Sequence, residues 1–492
     1  MIRKAFLLIL FLTSFSFADW QTIEDDWYGM TIAGAKSGWL HVTIEQDGEL
    51  LRSTTLQKLS ISRAGAVIDM VVKSEFVETT GGKPISVQTS QETMGQVSVS
   101  SWQFTNNEVE ITSIAGASPI TKKLPLPDGD WMTPLEVRRY FVEQLQKGAA
   151  TVTYQTMSPE LGVKIVTVIM TKLGEEERTV MGEKKMVTMW QSENDALPIV
   201  GTETYSDTGT KVESTINAGF GEMQHTLSSK QAAQSPVKSL PELMFSMFIE
   251  PSQEIPNDPS LKKIKMRVKT KDGKPINFPS VGSQRVTKNK DGSSTIVIDI
   301  AGSSVATVEE MNDPQYLAPS ALCDGSDEVV ISLAKEAIID LPANASIIDK
   351  AKAMRSFVYS YISGKGLTTA FASASQTARD REGDCSEHGV LLCGLLRASG
   401  IPSRGVAGVV YISPAVADFG KPNGVFGWHF WSQALIGGKW VDLDATLQTP
   451  FSVGHIATAT TGLSDEGKDA DMVGLIAIIG NMNIEVVEIG TN

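Results

Sequence analysis

Between Asp384 and Gly400 the chain spells a helix that is apolar almost all round. Val390, Leu391, Leu392, Leu395 and Leu396 do not fall on one stripe, so this helix has to be enclosed by other elements rather than laid on a surface. Both ends are written in the sequence. Asp384 is a good N-cap with Glu387 three residues on, the pattern of a capping box, and Gly400 followed by Pro402 stops the helix in the usual order. Gly389 and Gly394 are poor helix formers; inside a buried helix they let a neighbour approach closely. Cys385 takes the first helical position, where free N–H groups and the positive end of the helix dipole converge. That location is expected to lower the thiol pKa and favour the thiolate. A buried helix presenting one cysteine at its mouth makes Cys385 a candidate nucleophile.

A nucleophilic thiol needs a proton acceptor, and the acceptor needs a group to orient it. Both lie downstream. Trp428 to Ile436 reads as a strand, Gly437-Gly438 as a two-residue hairpin turn, and Lys439 to Asp444 as the returning strand. The turn sets the register: Ile436 opposite Lys439, hence Gln433 opposite Asp442 and Trp431 opposite Asp444. His429 then shares a face with both aspartates, and Asp444 is one diagonal step away, about 7–8 Å at the backbone. Asp444 is therefore the expected orienting carboxylate and Asp442 is not. In this triad Cys385 attacks a carbonyl, His429 holds and returns the proton, and Asp444 fixes the imidazole tautomer. The Cys385 N–H is the expected first oxyanion donor and Gln376, in the segment preceding the nucleophile, the candidate for the second. Asp384, His388 and Trp431 are candidates for the site wall.

These residues carry a resemblance. Gly383-Asp384-Cys385, opening a helix that runs into Leu396-Arg397-Ala398-Ser399-Gly400-Ile401-Pro402-Ser403-Arg404, resembles the nucleophile helix of the transglutaminase-like superfamily. Trp428-His429-Phe430-Trp431 and Trp440-Val441-Asp442-Leu443-Asp444-Ala445-Thr446 are similar to its histidine and aspartate strands. Asp444-Ala445-Thr446 departs from the frequent Asp-Pro-Thr. The resemblance covers roughly residues 320–460 and implies a papain-like α+β core with the same triad. Its bacterial members include proteases, amidases and proteins of unknown activity, so it does not imply crosslinking; the expected partner is a protein or peptide substrate.

The remainder of the chain reads as β structure. Segments such as Gly38 to Ile44, Ala66 to Val72 and Val163 to Ile169 alternate or are β-branched, and glycine turns separate them. One helical interval, Thr133 to Gln146, interrupts them, with Val137, Tyr140, Phe141 and Leu145 on one face. The expected architecture is an α+β multidomain protein. An antiparallel β-rich domain spans residues 19–235, a small β module residues 236–320, and the transglutaminase-like domain, with a C-terminal strand tail, residues 321–492. A helix beginning at Ser346 is expected as scaffold for the nucleophile helix.

Residues 1–18 read as an export signal: Arg3 and Lys4, a short apolar run, then Ser16 and Ala18 in a small-x-small cleavage pattern. The expected location is periplasmic or extracellular. Without Arg3 and Lys4 the balance is 41 basic against 57 acidic residues, about −16. That excludes nucleic acid and an anionic membrane surface as natural partners. No stretch of the mature chain is long and apolar enough for a transmembrane helix. Three cysteines, Cys323, Cys385 and Cys393, are too few for a disulfide framework, although Cys323 and Cys393 could pair. No metal site and no cofactor is expected. Two other readings stand beside the cysteine-dependent acyl-transfer enzyme. In one, the transglutaminase-like module is a non-catalytic scaffold in a binding or assembly protein. In the other, Cys385, His388 and His429 hold zinc.

Overall fold

A computed structural model describes residues 19–490, apart from residues 94, 116–118, 160–161, 197–199, 218–220, 272, 274, 365, 367–371, 450 and 466–479. The expected export signal, residues 1–18, lies outside the described residues.

Residues 21–228 build one antiparallel sheet of fourteen strands. Eight strands, from Gln21–Ile32 to Ile120–Pro125, run as one meander, and six more, from Thr151–Thr156 to Glu222–Ser228, run as a second. The first strand pairs with the last, Trp27 opposite Ser228, and joins the meanders into a single sheet. Between them in sequence lies the helix Pro134–Gln146, started by a capping box from Thr133 and Glu136. It packs Phe141 edge-on against Trp190, ring centres 5.2 Å apart.

A second, four-stranded sheet contains Lys263–Thr270, Gln284–Lys288 and Ser294–Asp299. Its fourth member is the C-terminal strand Met482–Gly490, which pairs Val486 with Met266. The strand expected as a tail on the C-terminal domain thus completes the small β module. Ile264, Met266 and Ile296 of this sheet share one buried cluster with Leu391 and Leu392 of the helix Cys385–Ala398, so among the described residues no separate core divides residues 236–320 from the helix-containing region.

The third sheet, of five strands, has the order Ser304–Val305, Lys439–Leu443, Val425–Ile436, Ser403–Ile412, His455–Thr461. Against it lies the helix Cys385–Ala398, in which every residue from Cys385 to Arg397 is buried. The helices Glu328–Glu336, Ile347–Tyr361 and Ala374–Asp380 enclose its other sides. This is the enclosure its all-round apolar surface requires. The architecture matches the expected α+β class, with a large antiparallel sheet before a helix-containing C-terminal region. Cys323, Cys385 and Cys393 are free thiols. No helix among the described residues is long and apolar enough to cross a membrane.

Candidate active site

Cys385 sits at the helix mouth, 7% exposed, on the wall of a cavity of about 1020 Å³ that Arg63, Asp384, His388 and His429 also line. The capping box is formed. Asp384 Oδ1 accepts from the Ser386 N–H at 2.8 Å, the Asp384 side chain also takes the Glu387 N–H, and Glu387 Oε2 accepts from the Asp384 N–H at 2.9 Å. The cap therefore occupies the second and third helical N–H groups and leaves that of Cys385 outside it. The other Asp384 oxygen, Oδ2, pairs with Arg63 Nη1 at 2.7 Å. Arg63 belongs to the large N-terminal sheet.

The expected lowering of the Cys385 pKa is overturned. Burial first, and the Asp384 charge second, push the thiol well above its ordinary value, while Arg63 and the Phe430 backbone N–H pull only partly the other way. Dipole and free N–H groups favour a thiolate only where water or a cation supports it; here the sulfur is enclosed beside a carboxylate.

The hairpin has the expected register, Ile436 opposite Lys439 and Gln433 opposite Asp442. Gly437 and Gly438 both adopt left-handed φ, 59° and 74°, as a type I′ turn demands. Asp444 follows the end of the returning strand, and its Oδ2 lies 2.8 Å from His429 Nε2. Asp442 is taken up elsewhere: it accepts from Gln433 Nε2 at 2.7 Å, Trp431 Nε1 at 3.0 Å and the Ser283 N–H at 2.7 Å. With an ionised carboxylate as acceptor only, His429 Nε2 carries the hydrogen and Nδ1 is the nitrogen left for proton exchange. No hydrogen bond joins Cys385 to His429; they share the cavity wall.

Asp444 has a second imidazole. His455 Nε2 lies 3.0 Å from the same Oδ2, while Oδ1 accepts from the Thr446 N–H at 2.7 Å. Burial would raise this carboxyl, but the charges and hydrogen bonds of His429 and His455 outweigh it and hold it well below the usual carboxylate range. Arg355, from the helix expected as scaffold, donates to the backbone carbonyls of Asp444, Leu447 and Gln448 and so pins the turn that carries the carboxylate.

Phe430, next to His429, sets the histidine strand against the nucleophile helix. A Cβ on Gly389 would lie 2.6 Å from its ring, and one on Gly405 would lie 2.2 Å from it. The ring is wedged between helix and neighbouring strand, and Ser432 Oγ donates to the Gly389 carbonyl at 2.9 Å.

The other residues named from sequence divide. Asp384 and His388 are on the cavity wall, with His388 Nδ1 2.6 Å from the Asp384 carbonyl. Trp431 is not on that wall: it is buried with Val406 and Ala457, its ring centre 6.2 Å from that of His429. Gln376 lies on the helix Ala374–Asp380, where its amide donates to Asp380 at 2.5 Å in an exposed pair. It does not reach the cavity, because that helix turns it outward. Cys385 and His388 do not converge with His429 as a ligand set; among the described residues the close cluster is His429, Asp444 and His455, whose polar atoms already bond one another. Sequence reasoning missed His455 and Arg63. The aromatic-flanked Phe451-Ser452-Val453-Gly454-His455 turn was the available signal for the first, and nothing local marks the second.

Residues 335–445 match the family model of the transglutaminase-like superfamily. The stretch holds Cys385, His429 and Asp444 and excludes Arg63 and His455. No curated protein sequence matches the chain. Among solved structures, a β-barrel-like protein of a domain of unknown function from Brucella abortus is 10% identical over 42% of this chain and 95% of that one, TM-score 0.33. A proposed cysteine protease from Cytophaga hutchinsonii is 18% identical over 47% of this chain and 86% of that one, TM-score 0.26. A proposed protease from Parabacteroides distasonis is 12% identical over 73% and 65%, TM-score 0.19.

Proposed function

We propose that this chain is an exported cysteine-dependent acyl-transfer enzyme acting on amide bonds of proteins or peptides. The observation that carries the proposal is that Cys385 and His429 face one cavity while Asp444 holds the far nitrogen of His429. The transglutaminase-like match over residues 335–445 supports it. Burial pushes the thiol upward, so in this reading His429 works as a general base rather than as half of a standing ion pair. Cys385 Sγ attacks the carbonyl carbon as its proton passes to His429 Nδ1, and Asp444 stabilises the imidazolium. The Cys385 N–H, outside the cap, donates to the developing oxyanion. His429 then gives the proton to the departing amine and leaves a thioester. Water completes a hydrolysis, and a second amine a transamidation. A cavity of about 1020 Å³ accommodates several peptide residues.

The test is intact-mass detection of an acyl-enzyme after exposure to a mixed peptide pool. The expected outcome is an acyl adduct on Cys385 that is absent from Cys385→Ala. A pool that yields neither adduct nor cleavage would favour a non-catalytic scaffold. The observation on that side is the enclosed thiol without a hydrogen bond to His429.

A further inference from the structure

The large N-terminal sheet reaches the helix mouth through one hairpin. Strands Leu50–Arg63 and Ala66–Thr79 turn at Ala64 and Gly65, both with left-handed φ, 52° and 81°. The turn is clamped from outside the sheet. The Ser62 N–H donates to the Pro241 carbonyl at 2.9 Å. The Glu242 carboxylate accepts from Ser62 Oγ at 2.6 Å and from the Ala64 and Gly65 N–H groups at 3.0 and 3.3 Å. Arg63 is thereby held over the cavity, with Nη1 2.7 Å from Asp384 Oδ2. Asp384 adjoins the nucleophile and is 8% exposed. A carboxylate in that position opposes negative charge on sulfur, and low local dielectric strengthens the opposition.

We propose that the N-terminal sheet is part of the active site, its β hairpin seating Arg63 on Asp384 so that the charge beside Cys385 is neutralised when the thiol gives up its proton. The inference rests on Cys385 being the nucleophile. Arg63 is a positioning residue: it acts on the sulfur through Asp384 and needs no contact with substrate. Arg63 is also a charge that draws the thiol downward against burial and Asp384. A guanidinium suits the task because it stays charged when half-enclosed.

The experiment measures the iodoacetamide alkylation rate of Cys385 in the full chain at neutral pH, mapped by peptide mass. Circular dichroism checks the fold of each variant. Arg63→Gln, which keeps a donor and drops the charge, should label about ten-fold more slowly, the equivalent of one unit of thiol pKa. Arg63→Lys should stay within about two-fold of wild type. In an Asp384→Asn background, Arg63→Gln should change the rate less than about two-fold, because the charge it answers is gone. Arg63→Gln labelling as fast as wild type overturns the proposal, and labelling faster also does, since Arg63 would then merely cover the thiol. A full loss persisting in the Asp384→Asn background overturns it as well. If Arg63→Gln alone does not fold, the double variant decides, by labelling near the wild-type rate or failing to. Wild-type Cys385 labelling no faster than the core thiol Cys323 would instead contradict the nucleophile reading itself.

Discussion

Asp444 receives two imidazoles on one oxygen and two backbone N–H groups on the other, so its position is over-determined. His455 is bonded in turn through Nδ1 at the Ser452–His455 turn, which places it as a second support for the carboxylate that orients His429. His455→Phe should lower kcat by about ten-fold, less than loss of the orienting carboxylate itself would. KM should hold, and His455→Gln, which retains an N–H donor, should recover part of the loss. Equal activity of the Phe variant and wild type would make His455 a packing residue. A second expectation concerns acid. The Asp444 carboxyl is depressed in the folded state. Its contribution is fully present above the unfolded carboxyl value of about 3.9 and is lost as pH falls below that toward the depressed folded value. Thermal unfolding temperature should therefore fall as pH drops below about 4, and the fall should be shallower in Asp444→Asn. Identical slopes in the two proteins would contradict this. The sequence placed Asp444 rather than Asp442 beside His429, the contact the structure has, because register in a two-residue hairpin is local information. It misjudged the thiol, because the burial that pushes it up comes from segments far away in the chain, and the adjacent Asp384 charge adds to it.

Among the elements, the placement of Cys385 relative to His429 depends on the fit of the helix Cys385–Ala398 against the histidine strand. Phe430 occupies the notch that Gly389 and Gly405 leave open. Gly389→Ala places a methyl in the ring, an overpacking that costs about 1–3 kcal/mol and outweighs the helix propensity gained. The denaturation midpoint should fall and Cys385 alkylation should slow, since His429 moves with Phe430; an unchanged or raised midpoint would refute the wedge. The helix caps and the enclosure of the Leu391–Leu396 segment were legible in sequence because capping and periodicity act within a few residues. That Gly389 admits a neighbour was legible too. That the neighbour is the residue after the candidate base was not, because a glycine records close approach and not its partner.

In the whole molecule, the connections that join distant segments include Trp27 to Ser228, Met266 to Val486, and Arg63 to Asp384. Alternation marks a strand whichever strand it pairs with, so the fourteen-stranded sheet and the completion of the small sheet by the C-terminal strand could not be read ahead. The Arg63 contact is hidden for the same reason, since an arginine before a hairpin turn looks like any solvated one. On the proposed function, these segments assemble a thiol whose proton His429 removes. Alkylating the full chain with iodoacetamide at neutral pH and comparing wild type with His429→Ala tests this. Cys385 should label in wild type and about a hundred-fold more slowly without His429, the low end of what a positioned general base supplies. Equal labelling of Cys385 in the two proteins would contradict the claim.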